Sequence, residues 1–216
     1  RDYKVTGVQT CALPISDELP TYEPVTLATA QARQAEAEAF WFENSYGKSS
    51  LSTTYTSVVT LPKNGGDYVG NFNTLIVDAR EAALAANPAW NHANFHFFTI
   101  VTNTATNAQG NGFAYAGIAQ LGGKASHLLR FEISVRTASH EYGHNLGLFH
   151  SGYWLTDSPS PIGGDSNPGG YTGDIANDER NEYGHKFAVM GSQPGPGDFD
   201  AGPTDYAASD KNRLEV

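Results

Sequence analysis

The sequence predicts a mixed α/β fold, on three observations. Helix-like and strand-like segments alternate from Val25 to the histidine-rich stretch that begins at His140. The strand-like runs are short and rich in β-branched and aromatic residues, and neither an internal repeat nor a convincing linker breaks the chain into independent domains. With 216 residues, 39% of them hydrophobic and 12% aromatic, the chain is large enough for one well-cored domain or two lobes sharing a cleft.

The elements follow in order. VTLATAQARQAEAEAFWFEN, Val25 to Asn44, is rich in Ala, Gln and Glu and reads as a helix that SYGKSS stops. LSTTYTSVVTLP, 51 to 62, has the Thr, Val and Tyr content of a strand and ends on Pro62. After the loop KNGGDYVG comes NFNTLIVDAREAALAANP, 71 to 88, a helix ending before Pro88. It places Phe72, Leu75, Ile76, Ala79, Ala83 and Leu84 near one core-facing stripe. NFHFFTIVTN, 94 to 103, is a short apolar run, read as a buried strand in which His96 is a core or sheet-face residue rather than a ligand.

A polar turn, NTATNAQGNG, leads into GFAYAGIAQLGG, 112 to 123, which alternates as a strand closed by glycines. HLLRFEIS is a further short strand or the approach to a helix. From 151 to 184 the chain is Gly-, Pro-, Asp- and Asn-rich with almost no periodicity, a structured loop of a length that is usually functional or metal-tied. FAVMGS, 187 to 192, is a brief apolar island, PGPGDFDAGPTD is turn-rich, and YAASDKNRLEV reads as the start of a helix cut short.

Composition excludes some functions. A formal charge of -10 and a pI near 5.0, with no local Lys/Arg cluster, argue against a nucleic-acid partner, whose phosphates need a basic face. No run approaches eighteen apolar residues, so no spanning helix and no membrane partner are expected. The opening VTGVQTCALPI, 5 to 15, resembles an in-frame translation of a sequencing-adapter oligonucleotide, so residues 1–16 are set apart as non-native and 17–216 are read as one domain with lobes 17–147 and 148–216. The only cysteine, Cys11, lies in that segment, which leaves neither a disulfide framework nor a thiol nucleophile. The only methionine is Met190, so an upstream signal or pro-segment is taken as lost.

HEYGHNLGLFH, 140 to 150, carries the chemistry. In a continuous helix His140 and His144 share a face to within about 40°, but His150 would lie about 240° and about 9 Å beyond His144. Gly147 resolves this: glycine takes the left-handed conformation that ends helices, and the reversal returns His150 toward the other two, with Leu148 and Phe149 packing as the cap's apolar contact. Three neutral imidazoles with a fourth position left to water make an open, catalytic type of zinc site. Zn²⁺ lowers the pKa of a coordinated water to roughly 7, and Glu141, beside the ligands without being one, can take the proton as the water attacks a carbonyl. The pattern H-E-x-x-H-x-x-G-x-x-H fixes five positions, with a chance expectation on the order of 10⁻⁷ per start position. A surface helix with incidental histidines and a structural zinc site are the plainer readings; Glu141 and the lack of cysteines speak against the second.

Together with Met190, the segment resembles the metzincin clan of zinc endopeptidases, in which this motif is followed by a methionine-containing turn beneath the metal. VMG, 189 to 191, stands forty residues past His150. Within the clan the chain is most similar to the gametolysin (autolysin) family and its bacterial relatives. FWFENSYGKSSLS at 40–52, HEYGHNLGLFHS at 140–151, EYGHKFAVMGS at 182–192 and DKNRL at 210–214 carry that likeness over most of 25–216. Archaemetzincins fit less well, because their cysteines after the third histidine are missing.

The resemblance implies a metzincin-like twisted mixed sheet with two long backing helices, an active-site helix and a small irregular C-terminal lobe. It implies Zn²⁺ on His140, His144 and His150, Glu141 as general base and then acid, Met190 supporting the site from below, and GFAYAGIAQ as the antiparallel edge that pairs with an extended peptide. Tyr183 would offer a phenol to the oxyanion or simply pack. His185 stands where the family pattern carries an acidic residue, as a surface group, a substrate contact or an adventitious ligand. Asp165, Asp174, Asp178 and Glu179 offer oxygen ligands for Ca²⁺, but their spacing fits no EF-hand and a solvated loop is preferred. The expectation is a secreted, monomeric zinc endopeptidase acting on extended protein or peptide substrates and truncated after DKNRL. A catalytically inactive binding or adhesion module on the same scaffold, or a zinc hydrolase of non-peptide amides, are the alternatives.

Overall fold

The computed structural model describes residues 8–13, 26–129, 134–151, 153–154, 180–181 and 188–191. The chain forms two compact units, Arg1–Gly147 and Leu148–Val216.

The first unit is mixed α/β. Helix α1, Leu27–Asn44, begins at Thr26, whose hydroxyl accepts from the Thr29 N–H at 3.2 Å, and it ends where SYGKSS turns the chain, with Tyr46 and Gly47 at positive φ. Of the predicted strand 51–62 only β2, Thr53–Tyr55, forms a ladder. Val59 and Leu61 are buried as core residues, but in irregular chain, because packing on a neighbour needs no strand partner. Helix α2, Phe72–Ala86, stops before Pro88 as expected and buries Leu75, Ile76, Ala79 and Ala83. Leu84, placed on the same stripe from sequence, is instead 42% exposed: it follows Ala83 by one residue and so sits about 100° round the helix.

The sheet has five strands in the order β2, β1, β3, β5, β4, where β1 is Val8–Leu13, β3 Phe97–Thr102, β4 Gly117–Ala119 and β5 Ala125–Leu129. All neighbours are parallel except β4, which runs antiparallel to β5 at one edge. Val8–Leu13 falls inside the opening segment set apart on sequence, and it nonetheless pairs with β3 from Val8↔Phe97 to Leu13↔Thr102. VQTCAL contains no proline or glycine to interrupt a ladder. His96, expected in the core or on a sheet face, is exposed just before β3 begins.

Side chains of β3 alternate between two packing faces. Phe98 and Ile100 join Tyr68, Leu75, Ile76, Ala79 and Ala83 in a core on the α2 side. On the opposite face Phe97 stacks on Tyr142, ring centroids 6.0 Å apart and 14° from parallel. Tyr142 belongs to α3, Val135–Asn145, and its buried hydroxyl donates to Gln34 Oε1 of α1 at 2.7 Å. The two long helices therefore lie on different faces of the sheet, α1 sharing its face with α3. In the second unit β6, Tyr153–Trp154, pairs antiparallel with β7, Arg180–Asn181, and Ala188–Gly191 form a buried turn.

The Tyr142–Gln34 bond registers α3 against α1. Gln34 Nε2 is already buried with no partner among the described residues. Tyr142→Phe is expected to destabilise the protein by about 1–3 kcal/mol in urea denaturation, since it strips the amide of its remaining bond. In a Gln34→Met background the same change should be close to neutral.

Candidate metal centre

Helix α3 opens on Ser134, whose hydroxyl accepts from the Thr137 N–H at 3.1 Å. His140 and His144, one turn apart, are half-buried on one side of it, their rings edge-to-face with centroids 4.7 Å apart. The helix then stops as the sequence requires. Leu146 N–H bonds to Tyr142 O at 3.1 Å, Gly147 N–H bonds to His144 O at 2.9 Å, and Gly147 takes φ +87°. A Cβ on Gly147 would meet nothing within 4 Å, so the backbone angle alone selects glycine. Leu148 is fully buried past the reversal, whereas Phe149, expected to share the cap contact, is 58% exposed.

The reversal brings His150 to the other two. One ring nitrogen from each of His140, His144 and His150 lies within 4.8 Å of the others, and among the described residues this is the group of His, Cys, Asp or Glu that could hold a metal. The end of α3 is further fixed by the hairpin between β4 and β5. Gly122 N–H donates to His144 O at 2.8 Å, and Asn145 Nδ2 donates to Gln120 O and Ala125 O at 3.1 and 3.0 Å. Met190 is fully buried in the turn that Gly191 N–H closes on Ala188 O at 2.9 Å, and its carbonyl accepts from Ser151 N–H, beside His150, at 2.8 Å.

Glu141 points inward. It is 4% exposed, and Oε2 has no hydrogen-bond partner among the described residues. Burial pushes its carboxyl up to about 8. Tyr183 and His185, and the calcium candidates Asp165, Asp174, Asp178 and Glu179, lie outside the described residues.

One group that sequence reasoning missed is His127 of β5, which is fully buried and has both ring nitrogens engaged. Thr102 Oγ1 spends its single proton on Asn103 O at 2.9 Å, so toward His127 Nε2, 2.8 Å away, it can only accept. Nε2 therefore carries the ring proton, and bare Nδ1 accepts from the Tyr115 hydroxyl at 2.9 Å. The result is a chain with one direction: Tyr115 to His127 to Thr102 to Asn103. Phe113 and Tyr115 pack edge-on against the same ring at centroid distances of 5.1 and 5.5 Å. Burial lowers the His127 pKa to about 3, so the imidazole stays neutral.

The donor set fits zinc. Three neutral imidazoles without a carboxylate or thiolate among them suit a borderline transition-metal ion and not Ca²⁺ or Mg²⁺. Two nitrogens each about 2.1 Å from one ion stand no more than about 4.2 Å apart, so side-chain closure of about an ångström completes the cage. The buried Glu141 Oε2, without a hydrogen-bond partner among the described residues and in the same helix as His140 and His144, is the kind of orphan that a nearby cation or a water explains.

No family model matches the chain, and no curated protein does. Among solved structures it is similar to an archaemetzincin from Methanopyrus kandleri, with 15% identity and a TM-score of 0.48 over 96% of this chain and 93% of that one. It is similar to an archaemetzincin from Archaeoglobus fulgidus complexed with malonate, with 16% identity and a TM-score of 0.45 over 96% and 99% of the two chains. Metalloproteinase-II from Bacteroides fragilis gives 17% and 0.36 over 67% of this chain and 43% of that one. The gametolysin likeness read from the sequence has no support among these findings, and archaemetzincins, set aside for want of cysteines, are among the similar structures.

His127 makes a pH dependence that can be measured. Its pKa is depressed in the folded protein relative to the usual 6.5, so between about pH 3 and 6.5 the unfolded chain binds the extra proton and stability falls as the pH drops. In metal-free protein, His127→Gln is expected to flatten the dependence of unfolding free energy on pH across that window by up to about 1.4 kcal/mol per unit. Urea denaturation between pH 4.5 and 7 reads the slope; identical slopes would mean that His127 is not held neutral.

Proposed function

We propose that the chain is a zinc-dependent endopeptidase. The observation that carries this reading is the convergence of His140, His144 and His150, with Glu141 buried on the same helix as the first two. When bound, Zn²⁺ supplies Lewis acidity, polarising a substrate carbonyl and acidifying water. His140, His144 and His150 hold it through neutral nitrogens, and no fourth protein ligand stands with them among the described residues, which suits an open site.

Glu141 takes a proton from the attacking water and returns it to the departing amine nitrogen. Its unengaged Oε2 leaves lone pairs for that task. Met190, as the buried turn residue whose carbonyl ties to Ser151, is assigned to supporting the ligand segment. An extended peptide would pair along β4, whose outer side faces no strand among the described residues. The assignment also takes the protein to act as a monomer in an extracellular setting, as the metzincin resemblance implies.

Two substitutions test it. Glu141→Gln should retain zinc while cleavage of casein or a peptide library falls by several orders of magnitude; near-normal turnover would remove Glu141 from the reaction. His150→Ala should lose zinc on dialysis, measured as metal content, and unchanged content would place the third ligand elsewhere. Chelator-sensitive cleavage by the unaltered protein separates an endopeptidase from a binding module on the same scaffold.

A further inference from the structure

Gly117, the first residue of β4, is not needed for backbone freedom, since its φ lies outside the left-handed region. The reason for glycine there is space. A Cβ built on Gly117 would stand 2.7 Å from Glu141 Oε1, 2.8 Å from Glu141 Cγ and 2.9 Å from Leu128 Cδ2. All three separations are shorter than nonbonded carbon contacts allow. The Glu141 side chain thus lies directly on the bare Cα of the edge strand.

If a side chain were added, something would have to yield, and the strand is the part least able to. Gly117 is paired with Leu128 in the ladder, and Ala116 O accepts from Leu129 N–H at 3.0 Å. Two residues before it, Tyr115 is pinned through its hydroxyl to His127 and onward to Thr102. Glu141, by contrast, is held by packing: Oε2 makes no hydrogen bond among the described residues. The carboxylate is therefore what moves.

We propose that Gly117 is a positioning residue for Glu141, its missing side chain leaving the slot in which the carboxylate is held against the edge strand beside the histidine cluster. This role rests on Glu141 acting as proposed above. It also gives the His127 chain a purpose beyond filling the core, since that chain fixes the depth of the slot's wall.

The test uses the zinc-loaded full chain. Gly117→Ala is expected to lower kcat about 10- to 100-fold, because a displacement of about 1 Å is enough for a loss of that order, while zinc content stays unchanged. Leu84→Ala, on the exposed side of α2, is the control, and activity should hold. Melting temperatures supply a second readout. Gly117→Ala should lower Tm in the presence of Glu141 and by less than half as much in a Glu141→Ala background, where Cγ and the carboxylate are gone. Unchanged kcat in Gly117→Ala, or Tm shifts that simply add, would overturn the positioning role. If the unaltered protein cleaves no peptide, the endopeptidase reading fails by itself and the Tm cycle still decides whether the slot exists.

Discussion

One backbone angle governs the histidine cluster. A regular helix cannot present three imidazoles spaced four and six residues apart to one point, and the left-handed turn at Gly147 removes that obstacle by reversing the chain just after the helix ends at Asn145 and its cap Leu146. Its effect depends on where the helix ends in space. His144 O, which would otherwise be an orphan carbonyl of the last turn, accepts from both Gly147 and Gly122, so one oxygen joins the reversal to the sheet hairpin. Asn145 adds two more bonds to the same hairpin, and Tyr142 fixes the other side of the helix to α1. The ligands thus inherit their positions from a helix clamped on two sides, as a site on a rigid element should.

Between half-buried His140 and His144 in the sequence of α3 stands a buried acid. Glu141 is enclosed, without a hydrogen bond to Oε2, and its neutral form is favoured by that enclosure. An ionised carboxylate placed so is destabilising unless a positive charge lies near. Three neutral nitrogens beside it can bring such a charge, so the histidine cluster and the carboxyl are electrostatically incomplete apart and complementary together. The neutral, fully bonded His127 is the opposite case: its protons are committed, and it serves as a fixed wall.

The parts of this arrangement legible in the sequence are those set by local rules. The helix from Leu27 to Asn44 follows from propensity and its stop signal, α2 from its apolar stripe and Pro88, and the reversal at Gly147 from the steric freedom of one residue type. Where packing acted across the chain, reading by period failed. Val59 and Leu61 belong to a run that reads as strand from its Thr, Val and Tyr content, yet they are buried in irregular chain, in one core with α2 residues. Leu84 was drawn onto the stripe by its chemistry, though its angle puts it in water. Gly117 and His127 gain their meaning from β4, β5 and α3 meeting, which no window of sequence contains. A faint signal existed: a glycine inside an alternating strand pattern marks a place where something approaches the backbone closely. The opening segment teaches the converse: VQTCAL, set apart from the fold on its sequence, pairs in the ladder all the same.

The two borders of the sheet, β2 and β4, are each only three residues long. An arriving chain finds few backbone groups to zip onto, which guards against runaway stacking of one molecule on the next. The same brevity limits how firmly any guest strand is gripped there.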